Sequence, residues 1–167
     1  GYVDAYNNLG LAYKESDNLD EALACFRKAL SISPDYIEAH NNLGLAYKES
    51  GNLDEAIASY RKAMSINPNY VEVHNNLGLA YKESGKQDEA IASYRKAVSI
   101  NPNSAKSHNN LGNSLLAIGK KDEAITCYRK ALSLNPGYVD AYNNLGLAYK
   151  ESGNLEEAIT SYRKAVS

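Results

Sequence analysis

The sequence predicts an all-α solenoid of helix-turn-helix repeats with antiparallel helix pairs, and three observations carry that prediction. Asn41, Asn75, Asn109 and Asn143 recur at a 34-residue interval, as do Pro34, Pro68, Pro102 and Pro136, with no insertion breaking the register. Within each interval, two stretches place apolar residues at helical spacing. A glycine or polar turn separates the two stretches, so the punctuation reads helix, turn, helix, turn through all 167 residues.

The repeats run over 3–36, 37–70, 71–104, 105–138 and 139–167, the last stopping after its second helix, and form a single array without linkers. In the second repeat, His40, Leu43, Gly44 and Tyr47 fall at i, i+3, i+4 and i+7 and mark the inward stripe of the first helix. Gly51 can end that helix in the left-handed conformation, and Asn52 with Glu55 reads as a capping box for the second. Ala56, Tyr60, Ala63, Met64 and Ile66 make the second stripe, which Pro68 stops, and Asn69 with Glu72 repeats the capping logic. The first repeat carries Asp17 where the others have Gly51, Gly85, Gly119 and Gly153, and a left-handed Asp costs on the order of 1 kcal/mol. In the third and fourth repeats, Lys86 and Lys120 replace the capping Asn, while Gln87 and Lys121 replace Leu19, Leu53 and Leu155. Those two turns are expected to close less tightly. Residues 137–152 of the fifth repeat are identical to residues 1–16.

Composition narrows the function classes. Eighteen Lys and Arg stand against 20 Asp and Glu, a net charge of -2, which leaves no basic surface for nucleic acid. No apolar run is long enough for a bilayer span, so a soluble, cytoplasmic protein without membrane partners is expected. Cys25 and Cys127 occupy equivalent places in distant repeats and are expected as packed thiols, neither disulfide nor metal ligands. His40, His74 and His108 lie on the inward stripe, too far apart to share a zinc ion, and read as core residues. No nucleophile, metal or phosphate-loop motif is present, so no catalytic residue and no cofactor is assigned.

His40, Leu43, Gly44, Tyr47, Ala56, Tyr60 and Pro68 resemble the tetratricopeptide repeat signature, with His or Tyr where its usual Trp sits, and the match recurs over the whole chain. The resemblance implies a right-handed superhelix whose first helices line a concave groove for extended peptides.

The asparagine doublets bear on that groove. Asn is roughly 0.6 kcal/mol worse than Ala within a helix, so the doublets together cost on the order of 6 kcal/mol, comparable to the net stability of a domain, about 5 to 15 kcal/mol. On a helical wheel, Asn41 and Lys48 flank the buried stripe, near the seam between repeats, with Ala39 and Ala46 on the other flank where a neighbouring helix can approach. Glu38, Asn42, Leu45 and Glu49 fall opposite the stripe. The expected ladder is Asn8, Asn42, Asn76, Asn110 and Asn144, each amide free to pair with a peptide bond of a bound chain. It resembles the asparagine ladder of the O-GlcNAc transferases. Leu45 and Leu79 are expected as apolar floor, while Glu38, Glu72, Glu49 and Glu83 make the groove acidic and suited to a neutral or basic peptide. The Arg61 and Lys62 rows of the second helices read as solvated charge. Two alternatives stand beside this reading. One is a scaffold element stacking head to tail through uncapped ends, and the other an engineered or excised fragment without a native ligand.

Overall fold

A computed structural model describes residues 1–167 and contains ten α-helices and no strand. The helices group into two compact units, Gly1–Lys86 and Gln87–Ser167. That division falls within the third repeat, between its two helices. The first unit holds α1 (Tyr2–Glu15), α2 (Leu19–Ile32), α3 (Ile37–Glu49), α4 (Leu53–Ile66) and α5 (Val71–Glu83). The second holds α6 (Gln87–Ile100), α7 (Ala105–Ala117), α8 (Lys121–Leu134), α9 (Val139–Glu151) and α10 (Leu155–Ala165).

Both units follow one packing rule. In the first, α1 pairs with α2 and α3 with α4, while α2 and α4 also pack on the following first helices α3 and α5. In the second, α7 pairs with α8 and α9 with α10, and α8 packs on α9. First helices also touch directly, α1 with α3, α3 with α5 and α7 with α9, because Ala39, Ala46, Val73, Ala80, Ala141 and Ala148 are buried at these seams and hold the backbones close. The core of the first seam is Ala22, Leu23 and Phe26 of α2 against Leu43 and Ala46 of α3.

Within a pair, glycine permits the close approach. A Cβ at Gly44 would lie 2.5 Å from Cε1 of Tyr60, so the whole aromatic ring rests where a side chain would have stood. Gly112 and Tyr128 repeat the arrangement at 2.6 Å.

The turns match the expected geometry and correct the expected chemistry. Gly51, Gly85, Gly119 and Gly153 take φ between +76° and +83°, and Asp17 takes the left-handed conformation at +62°. At the end of α3, the N–H of Asn52 donates to the Tyr47 carbonyl at 2.8 Å and that of Gly51 to Lys48 at 3.0 Å, a Schellman closure. Lys86 and Lys120 close onto Tyr81 and Leu115 at 2.8 and 2.9 Å, so the turns expected to be looser are as tight as the rest. The backbone makes that closure, whatever side chain stands there. The expected capping boxes do not form. Asn52 starts α4 without a side-chain cap and donates its Nδ2 to Ser50 Oγ at 3.0 Å, as Asn18 does to Ser16 at 3.1 Å. Tyr70, not Asn69, precedes α5. A side-chain cap does form at α7, where Ser104 accepts from the N–H of Ser107 at 3.2 Å. No helix is long and apolar enough to cross a membrane.

Candidate functional site

Every first helix carries its doublet in mid-helix, and the direct approach of first helices brings successive doublets together. In the first unit, Asn42 donates its Nδ2 to Asn7 Oδ1 at 2.9 Å, and Asn76 donates to Asn41 Oδ1 at 2.9 Å. In the second unit, Asn144 donates to Asn109 Oδ1 at 3.1 Å. Asn41 in turn donates to Glu72 Oε1 at 3.3 Å. A carboxylate only accepts, so the polarity of this chain of bonds is set: Asn76 gives to Asn41, and Asn41 gives to Glu72.

This arrangement confirms the seam position of Asn41, which is 3% exposed, and corrects the picture of uncommitted second amides. Asn42, Asn110 and Asn144 are half-buried, Asn76 is buried, and Asn8 is exposed. The cause is the small-residue seam: with Ala39 and Ala46 fully covered, α3 lies close enough to α1 for Asn42 to reach Asn7. Alanine at position 42 or 76 would therefore relieve a helix-propensity cost but break a bond across the seam. Each seam-bonded second amide keeps its carbonyl oxygen and one N–H hydrogen for other partners.

The remaining predicted residues sit around these amides. Leu45 and Leu79 are half-buried, and Glu38, Glu49, Glu72 and Glu83 are exposed. They do not make a bare acidic surface. Lys14 meets Glu49 at 3.1 Å and Lys48 meets Glu83 at 3.7 Å, each lysine reaching from the preceding repeat. Glu72 is held by Asn41, and Asp4 accepts from the Tyr36 hydroxyl at 3.1 Å. The wheel placed Lys48 correctly on the seam flank but could not show that its ammonium spans to the next helix.

Sequence reasoning missed the Arg–Tyr clasps. Arg27 donates to the Tyr47 hydroxyl at 2.7 Å and Arg61 to Tyr81 at 3.0 Å, with the guanidinium carbons 5.7 and 5.8 Å from the ring centroids. Arg129 treats Tyr149 in the same way. These arginines join the second helix of one repeat to the first helix of the next, which corrects their reading as solvated charge; the signal was an Arg and a Tyr twenty positions apart, repeated. Each histidine reaches back from the first turn of its helix to the preceding loop: Nε2 of His40, His74 and His108 lies 2.8, 2.8 and 2.9 Å from the carbonyls of Pro34, Pro68 and Pro102. The carbonyl can only accept, so Nε2 carries the proton.

Phe26, Tyr60, Tyr94, Tyr128 and Tyr162 occupy one place in the five repeats, and Phe26, Tyr60 and Tyr128 differ in what meets the end of the ring. Phe26 has no polar group. The Tyr60 hydroxyl is buried without a hydrogen-bond partner, and burial, followed by the nearby Glu49, Glu83 and Glu72, pushes its phenol far above the ordinary value. The Tyr128 hydroxyl donates to Asn113 Oδ1 at 2.9 Å, Asn113 occupying the place that Leu45 holds in the repeat of Tyr60. In the second unit, Asn113, Leu116, Asn144, Leu147 and Glu151 surround an open cleft floored by Tyr128. Cys25 and Cys127 are free thiols. No group of three or more His, Cys, Asp or Glu side chains gathers to hold a metal ion.

A family model described as TPR repeat matches residues 10–51, 46–85, 79–119 and 112–153, and one described as tetratricopeptide repeat matches 141–167. Among curated proteins none matches the chain. Several solved structures do. A crystal structure of MamA is 29% identical, with a TM-score of 0.86 over 95% of this chain and 92% of that one. YrrB, described as a TPR protein with an unusual peptide-binding site, is 25% identical with a TM-score of 0.78, covering 96% and 83%. PilF of Pseudomonas aeruginosa is 26% identical with a TM-score of 0.90, covering 99% and 75%.

Proposed function

Because the chain belongs to the tetratricopeptide repeat family, a family of protein-interaction modules, we propose that its first helices bind an extended, neutral or basic peptide segment of a partner protein. On this reading the five repeats serve as one array. The observation that carries it is the set of oriented amides. Asn42 and Asn144 are half-buried, each fixed by one hydrogen bond, and retain an acceptor and a donor hydrogen, the pair that a peptide N–H and C=O require; Asn76 is fixed in the same way but is buried. Amides held in place lose little further freedom on binding, which favours affinity. Leu45 and Leu79 supply apolar contact between polar rows. The peptide-binding site in YrrB's description supports the reading by analogy. Two free thiols suit a reducing compartment such as the cytoplasm.

A blocked-peptide array on the full chain, followed by calorimetry on the best binder, tests this. Asn8 is the exposed rung, so Asn8→Ala is expected to weaken binding while leaving the melting temperature in place. Unchanged affinity for every selected peptide counts against the ladder.

A further inference from the structure

The Lys–Glu pairing between repeats is broken at one place in the second unit, and the break lies on the wall of a cleft. Lys14 reaches Glu49 and Lys48 reaches Glu83, each pair 35 positions apart. The same spacing that leads back from Glu151 ends on Leu116, so the position that supplies an ammonium in the first unit here supplies an aliphatic side chain. Ala117 stands where Glu49 and Glu83 stand in their repeats, which removes a second long side chain from the same rim. Between α7 and α9 this leaves a cleft of about 490 Å³, with Leu116 and Leu147 as apolar wall, Asn113 and Asn144 as amides and Glu151 at the edge. That size falls within the range of ligand sites. The nearby Lys121 donates to the backbone carbonyl of Glu151 and not to its carboxylate. Asn113 is oriented, because its Oδ1 accepts from Tyr128 and its Nδ2 therefore remains.

We infer that this cleft between α7 and α9 seats a long basic side chain, lysine or arginine, of the bound segment, with Glu151 as its charge partner. The inference deepens the peptide-binding reading and rests on it for its setting. The ligand's cation takes the part that Lys14 and Lys48 play toward Glu49 and Glu83, while its aliphatic stem lies along Leu116 and Leu147. A carboxylate at the same place would meet Glu151 and be rejected, which gives the site a charge preference as well as a shape.

The test titrates the full chain, labelled for nuclear magnetic resonance, with N-acetyl-argininamide and in parallel with the isosteric neutral N-acetyl-norleucinamide. The expected result is a shift of the Asn113 and Asn144 side-chain amides and of the Leu147 and Glu151 backbone, half-complete at about three- to fivefold lower concentration for the arginine compound, as a partly exposed ion pair gives. Leu116→Lys restores the residue present at positions 14, 48 and 82 and is expected to abolish the response by filling the cleft and pairing Glu151. Glu151→Gln, at an exposed position, is expected to erase the preference between the two compounds. Absence of shifts at these residues, equal response to both compounds, or an unaltered response in Leu116→Lys overturns the inference. Blocked peptides with a central arginine or norleucine separate it from the reading it rests on. Shifts with the small compounds but no peptide binding sink the groove and keep the cleft. Peptide binding without arginine preference, together with silent small compounds, does the reverse.

Discussion

Tyr60 and Tyr128 stand at one site in two repeats, and what lies over each hydroxyl sets opposite expectations. The Tyr60 hydroxyl is buried and unpartnered, a loss on the order of 1 kcal/mol relative to an apolar group of the same shape. Tyr60→Phe, which installs the residue present at Phe26, is expected to raise stability by about 1 kcal/mol in urea denaturation. Tyr128→Phe is expected to lower it by about as much, because Asn113 Oδ1 loses its donor. Equal effects of the two substitutions contradict the assignment. Burial also lifts the phenols of Tyr60 and Tyr128 and raises the Cys127 thiol from 9.0 to about 11. In the unfolded chain these groups release protons from about pH 9 upward. Above that point the native state therefore holds more protons than the unfolded state. The contribution of these three groups to stability is complete below about pH 8.5 and falls as pH rises past it; an alkaline profile that stays flat to about pH 10.5 contradicts this.

Helices are joined by three kinds of clasp, and their strengths differ for physical reasons. The Lys14–Glu49 and Lys48–Glu83 pairs involve exposed carboxylates and are expected to contribute about 0.5 kcal/mol or less, weakening with salt. The Arg61–Tyr81 clasp combines a hydrogen bond with a ring contact. A double-mutant cycle with Arg61→Ala and Tyr81→Phe is expected to show about 1 kcal/mol of coupling that persists in high salt. The amide clasp tests the doublet. Asn42→Ala gains roughly 0.6 kcal/mol of helix propensity but leaves the buried Asn7 carbonyl unpaired, at about 1 to 3 kcal/mol, so a net loss near 1 kcal/mol is expected by thermal or urea unfolding. Helix ends and pairings were legible in the sequence because period, glycine and proline act within one repeat: Gly51 and Asp17 take the conformations that their places demand. The clasps were not, since Asn42 with Asn7, Arg27 with Tyr47 and Lys14 with Glu49 join different repeats, and a wheel drawn for one helix carries no neighbour. The caps failed for a local reason. Ser50 and Ser16 offer hydroxyls that take the amides of Asn52 and Asn18 away from the helix starts.

At the scale of the molecule, the question raised by the doublets has a two-part answer. The first asparagine of a doublet accepts from the second asparagine of the next one and ties the repeats together, and on the proposed reading that second asparagine offers what remains of its amide to a visiting main chain. The site itself was half legible: the positions Asn42, Leu45 and Glu49 could be placed on one side of a helix, but the neutralising lysines and the committed N–H groups needed the adjacent repeat. On that reading the rungs recognise the peptide's backbone. Calorimetry with a selected blocked peptide and with its N-methylated counterpart of identical side chains tests this most directly. Methylating alternate peptide nitrogens removes the donors that the asparagine carbonyls would accept. The account predicts at least a tenfold loss of affinity, about 1.4 kcal/mol, and equal affinity of the two peptides would contradict it.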